Sequence, residues 1–137
     1  MKFYRALGIS LLTYFFSMVL GIIVMTVMGI SIASGGNDIP KEALIINIIL
    51  TLILSGISTN IYLNGKGIKP GVREGFLFGI VLVVLGTIID IIFFSLSSIA
   101  TGTQQSIIEY YSNPLFWTAL ILFLATCIIT GFLREKR

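Results

Sequence analysis

The chain has 137 residues, 56% of them hydrophobic and 11% charged, with a net charge of +3. Soluble domains are about 25% charged, so this composition excludes an ordinary water-soluble globule and points to the membrane class. With no histidine and a single cysteine, Cys127, the chain offers no imidazole catalyst, no histidine ligand for a metal or haem, and no internal disulfide or Cys-x-x-Cys redox pair.

The length suits one compact all-α bundle without a separate soluble domain, and four apolar segments predict four transmembrane helices. The first covers about residues 6–33, inside the uncharged stretch Ala6–Asn37, and exceeds the ~20 apolar residues a bilayer requires. Lys2 and Arg5 precede it, and Ser31-Ile32-Ala33 has the small-x-small form of a signal-peptide cleavage site. The apolar run is much longer than a signal h-region of about 7–15 residues, so it is expected to stay as a span. Ser17-xxx-Gly21 and Gly29 supply small residues for helix packing on this segment.

The second segment, about 43–64, carries Asn47, Thr51, Ser55, Ser58 and Tyr62 at steps of four, four, three and four. That spacing puts them on one helix face, and in lipid such a stripe turns toward another helix, as packing contacts or as the lining of a path. Gly65 and Gly67 follow where a helix C-terminus favours glycine. Lys69-Pro70-Gly71 reads as a turn.

The third segment, about 75–99, is interrupted only by Asp90. A charge at the centre of a spanning helix costs about 2.5–3.5 kcal/mol on insertion scales, so Asp90 is the most informative residue in the chain. Gly75, Gly79, Gly86, Asp90 and Ser97 are separated by fours and sevens and share one side. Gly75-xxx-Gly79 permits close backbone approach. Asp90 therefore belongs to the packed face. Because the second and third helices run antiparallel, Asp90 comes to the depth of Asn47 and Thr51, with Ser55 next on the stripe. Thr26 and Thr118 are weaker candidates for this intramembrane polar cluster. No Lys or Arg lies at that depth, and burial without a cationic partner favours the neutral acid. Asp90 is expected to be protonated at rest, either as a tie to Asn47 or Thr51 or as a proton or cation site.

The fourth segment, about 114–133, opens with Asn113 as N-cap and Pro114 in the first turn. Tyr110, Tyr111, Phe116 and Trp117 would form an outer aromatic girdle, and Phe3, Tyr4, Tyr62, Phe76, Phe78 and Phe132 an inner one. The loop Thr101–Ser112 is polar, with room for a short interfacial turn.

Eight of the nine basic residues fall on one side of these spans: Lys2 and Arg5, the loop residues Lys66, Lys69 and Arg73, and Arg134, Lys136 and Arg137. Lys41 sits opposite with Asp38, Glu42 and Glu109. The positive-inside rule then predicts cytoplasmic N- and C-termini. Topology and lipid headgroups account for the basic loop without a nucleic-acid partner. Ser31–Gly35 and Ser98–Gly102 are related at a spacing of 67, as are Gly8 and Gly75, and Thr51 and Thr118. They raise the question of two parallel hairpin repeats, although these residue types are common at helix ends in any case.

Arg73, Glu74, Gly75 and Gly79, followed by Asp90, together with Asn113-Pro114-Leu115-Phe116, resemble small bacterial four-helix membrane proteins classed as domains of unknown function. The resemblance covers mainly the third and fourth spans and implies an architecture without an activity. Small multidrug exporters carry a glutamate in their first helix, where this chain has no acid. Quinone-linked disulfide enzymes need paired cysteines, and lipid headgroup transferases need clustered aspartates. P-loop, HExxH and GxSxG motifs are also lacking. The expected function is that of a non-enzymatic, cofactor-free membrane protein without a metal site. It would act through helix packing with a membrane partner or a second copy, or else as a proton- or cation-coupled transporter or channel subunit using Asp90.

Overall fold

The computed structural model describes residues 2–29, 40–101 and 111–136; the side chains of residues 94, 97, 98, 100 and 101 stand outside the description. The described residues form four long helices: α1 (Phe3–Val27), α2 (Lys41–Leu63), α3 (Val72–Thr101) and α4 (Pro114–Glu135). Each is long and apolar enough to cross a membrane. The Ser31-Ile32-Ala33 pattern, Asp38, Glu109, Tyr110 and Arg137 lie outside the described residues, as do most of the outer loop, the Ser97 side chain and much of the paired repeat segments.

Three helices differ from the sequence expectation at their ends or sharpen it. α1 begins at Phe3 and closes at Val27 rather than near residue 33. Met28 donates its N–H to Val24 O, Gly29 donates to Thr26 O, and Gly29 takes φ +68°. Glycine enters that left-handed region without a Cβ penalty, so an apolar run that could have continued stops there. α3 extends further at both ends than the 75–99 expected. α4 starts as its N-cap requires, with Asn113 Oδ1 accepting from Leu115 N–H at 3.0 Å.

Around the bundle the order is α1, α2, α4, α3, with α2 and α3 also touching across the closer diagonal. Consecutive helices are antiparallel, so α1 lies beside α3 and α2 beside α4 as parallel pairs. A two-fold axis along the bundle could not bring both of these pairs together, so the two hairpins are side by side rather than two-fold related.

The tightest packing is at the end where the chain termini and the α2–α3 loop meet. Tyr62 and Phe78 are fully buried there and stack with ring centroids 4.6 Å apart at 9°. Position near a helix end suggests an interfacial girdle for both; the structure puts them in the core. Burial of the phenol is possible because its hydroxyl donates to Glu74 Oε2 at 3.0 Å and accepts the Lys2 backbone N–H at 3.3 Å. Phe3, Tyr4, Phe76 and Phe132 are exposed, as girdle residues would be. Ala6, Leu63, Leu82 and Cys127 complete this core. Arg5 Nη2 donates to Ile61 O at 2.8 Å, and Lys2 Nζ donates to Lys66 O. The first places positive charge on the last turn of α2, where helix carbonyls are unsatisfied, and the second on the loop that follows.

The α3–α4 contact is made of glycine. A Cβ on Gly75 would lie 2.5 Å from Cys127 O, and one on Gly131 would lie 2.5 Å from Gly71 O. On Gly79 it would meet Leu124 Cδ2 at 3.1 Å and Cys127 Cβ at 3.2 Å. Gly131 does not stand out in the sequence, although Cys127-xxx-Gly131 is a small-xxx-small pair facing Gly75-xxx-Gly79.

Candidate functional site

Away from that packed end, the helices surround a cavity of about 280 Å³. All four helices contribute. Tyr14 and Ser17 come from α1, three residues apart; Asn47 and Thr51 come from α2, four apart. Gly86 and Asp90 come from α3, also four apart, with Thr87 beside them. Phe116, Leu120 and Phe123 of α4 supply an apolar wall. Every one of these spacings keeps the residues on a single helix face.

Asp90 accepts a hydrogen bond from the Tyr14 hydroxyl. Gly86, one turn before Asp90, lies beneath the Tyr14 ring. A Cβ there would lie 3.7 Å from Tyr14 Cδ2, so the ring passes over the glycine to reach the carboxyl. Depth alone favours Asn47 or Thr51 as the partner. They line the same cavity, but the bond goes to α1, because α1 is the neighbour packed along the small-residue face of α3 at this level. Tyr14 lies three residues before Ser17 and seven before Gly21, so the small-residue face of the first helix also contains the partner.

Ser17 Oγ and Thr51 Oγ1 are 3.3 Å apart and join α1 to α2. Asn47 packs over Gly21, where a Cβ would lie 3.6 Å from Asn47 Oδ1. That Oδ1 is buried with no hydrogen-bond partner among the described residues. Leaving such an acceptor unsatisfied costs about 1–3 kcal/mol. Tyr111, just before α4, sets its ring edge-on to Phe116 with centroids 5.0 Å apart. Burial pushes its phenol above the usual range.

Ser55 does not join this group. It is fully buried and donates to Leu52 O of its own helix at 2.7 Å, because one turn below Thr51 the bundle has already closed. At the closed level Thr13 Oγ1 and Ser58 Oγ lie 2.6 Å apart. Thr26 and Thr118 are exposed and donate to Ile22 O and Pro114 O within their own helices. Lys66, Lys69 and Arg73 are exposed at the opposite end of the molecule.

No family model, curated protein or solved structure matches the chain. The chemistry of the site therefore rests on its own side chains. The cavity presents one carboxyl, phenolic and aliphatic hydroxyls and one amide against aromatic and aliphatic walls. These groups can hold a proton, bind a cation or solvate a small polar solute. Among the described residues no three His, Cys, Asp or Glu side chains gather as a metal site would require, and no second carboxyl lines the cavity.

Proposed function

We propose that the chain is a small multi-pass protein of the cytoplasmic membrane, with both termini cytoplasmic, and that it is a non-enzymatic proton- or cation-coupled transporter or channel subunit centred on Asp90. The single observation that carries this reading is the position of Asp90. Its carboxyl borders a concavity lined by all four helices instead of lying in a closed helix–helix contact. Intramembrane acids that face a cavity mark proton and ion pathways. One four-helix chain encloses little volume, and a second copy would complete a longer path.

Proteoliposomes loaded with a pH-sensitive dye test the proposal. The wild-type protein should dissipate an imposed proton gradient, and Asp90→Asn should slow that flux by at least about tenfold, as loss of an essential carrier group predicts. Flux that is equal in both proteins removes Asp90 from any transport role.

A second reading, a non-catalytic packing module that supports a membrane partner, draws on the Tyr14–Asp90 hydrogen bond and the glycine contact between α3 and α4. Under it the proteoliposomes carry no flux above empty vesicles, and Asp90→Asn keeps both fold and phenotype because Asn still accepts from Tyr14.

A further inference from the structure

A second concavity lies where α2 meets α4, a groove of about 560 Å³ closer to the end that carries the termini. Its floor is made of small residues. A Cβ on Gly56 would lie 3.5 Å from Thr126 Cγ2 and 3.8 Å from Thr130 Oγ1. Both threonine hydroxyls donate within α4, to Leu122 O at 2.9 Å and Thr126 O at 2.8 Å, so neither proton is free for the groove. The walls are apolar and outward-facing: Ile53, Ile57 and Leu133 are each more than half exposed, at 56%, 51% and 58%.

The groove is polar at one end only. α2 and α4 run in the same direction, so both bring their C-terminal turns to that end, with Asn60 on one and Arg134 on the other. Arg134 Nε donates to Asn60 Oδ1 at 2.5 Å, which holds the guanidinium by one edge. Its two terminal nitrogens make no hydrogen bond among the described residues, and no carboxylate lines the groove. A planar guanidinium anchored in this way matches two oxygens of a phosphate.

The dimensions agree with one leaflet of a bilayer. From Leu52 to Asn60, and from Thr126 to Arg134, the chain advances eight residues, about 12 Å of helix. Half of a ~30 Å hydrocarbon core is about 15 Å. We propose that this groove binds an anionic phospholipid, with its phosphate on Arg134 and one acyl chain lying over Gly56, Thr126 and Thr130. Charge complementarity selects the occupant: a lipid molecule is charged at one end and apolar along its length, as the groove is. Basic recesses between helices on the cytoplasmic side are suited to such headgroups. The assignment rests on the membrane-spanning reading but is independent of any role for Asp90.

Native mass spectrometry of the full chain released from detergent micelles tests it, with phosphatidylglycerol, phosphatidylcholine and inorganic phosphate added in turn. The wild-type protein should retain phosphatidylglycerol in preference to phosphatidylcholine. Arg134→Gln should reduce the retained phosphatidylglycerol about tenfold, the effect of losing a charge-assisted hydrogen bond. Gly56→Leu, which fills the floor, should reduce it similarly, and Thr126→Leu fills the same floor if Gly56→Leu does not fold. Lys136→Gln removes the same unit of charge from a side chain that lies over Phe132, 4.4 Å from the ring centroid, and should leave retention unchanged. Equal retention of the two lipids overturns the proposal, as does an equal loss in Lys136→Gln, displacement by inorganic phosphate, or a dimer that Gly56→Leu abolishes. Extraction of the chain from membranes by alkaline carbonate would instead defeat the membrane-spanning reading itself.

Discussion

Asp90 shows how a single side chain is made tolerable in an apolar setting. The carboxyl is given a phenol donor by the neighbouring helix, and Tyr14 and Asp90 act as a pair. Interhelical hydrogen bonds inside membranes average about 0.6 kcal/mol and reach about 1.7 kcal/mol. Tyr14→Phe should therefore lower stability by that amount in a reversible detergent-unfolding titration, and it should move the isotope-edited infrared band of the Asp90 carboxyl. A band that stays in place would mean that the two groups do not interact. Asn47 differs from Asp90 in having its acceptor buried without a partner among the described residues.

At the scale of the helices, small residues divide into two kinds. Gly75 and Gly131 face backbone carbonyls that cannot move aside, whereas Gly8 has nothing within 4 Å of its Cβ position. Gly75→Ala and Gly131→Ala should each destabilise the protein by about 1–3 kcal/mol, the range for overpacking a close contact. Gly8→Ala should stay within about 0.5 kcal/mol of wild type. The same unfolding titration separates them, and equal effects at all three positions would show that the α3–α4 contact yields without strain. The polar stripe on α2 divides in the same way: Asn47 and Thr51 open onto the cavity, while Ser55 and Ser58 bond into the closed half. Their period of three to four is identical, and what separates them is the level at which the four helices converge.

Across the whole molecule, the bundle is closed at the end holding both termini and open around a cavity toward the other. At the closed end Lys2 is hydrogen-bonded to the loop after α2 and Arg5 to the last turn of α2 itself. Gly71 lies against Glu135, so close that a Cβ on the glycine would be 3.5 Å from Glu135 Oε2, and the C-terminus is therefore there too. With cytoplasmic termini, the cavity would lie toward the outer leaflet and the Arg134 groove toward the inner one. Cysteine substitutions at Lys66 and Lys41 check the orientation. A membrane-impermeant maleimide should label position 41 in intact cells and position 66 only after permeabilisation; the reverse pattern would invert the topology. Native Cys127 is buried and should not interfere.

Four long apolar helices, the Asn113–Pro114 start of the last one, and the depth shared by Asp90, Asn47 and Thr51 are legible in the chain, because hydropathy, capping and rise per residue are local properties. Where α1 ends is legible only in part, since Gly29 reads as a small packing residue and not as the one that takes a left-handed φ. The partner of Asp90 is not legible. Periodicity says which residues share a face but not which neighbouring helix that face meets, and the side-by-side order α1, α2, α4, α3 arises only when all four helices pack. The same holds for Tyr62 and Phe78: an aromatic near a helix end suits an interface or a core equally well. Here the core won because Glu74 and the Lys2 amide, 12 and 60 residues away in the chain, came together around one hydroxyl.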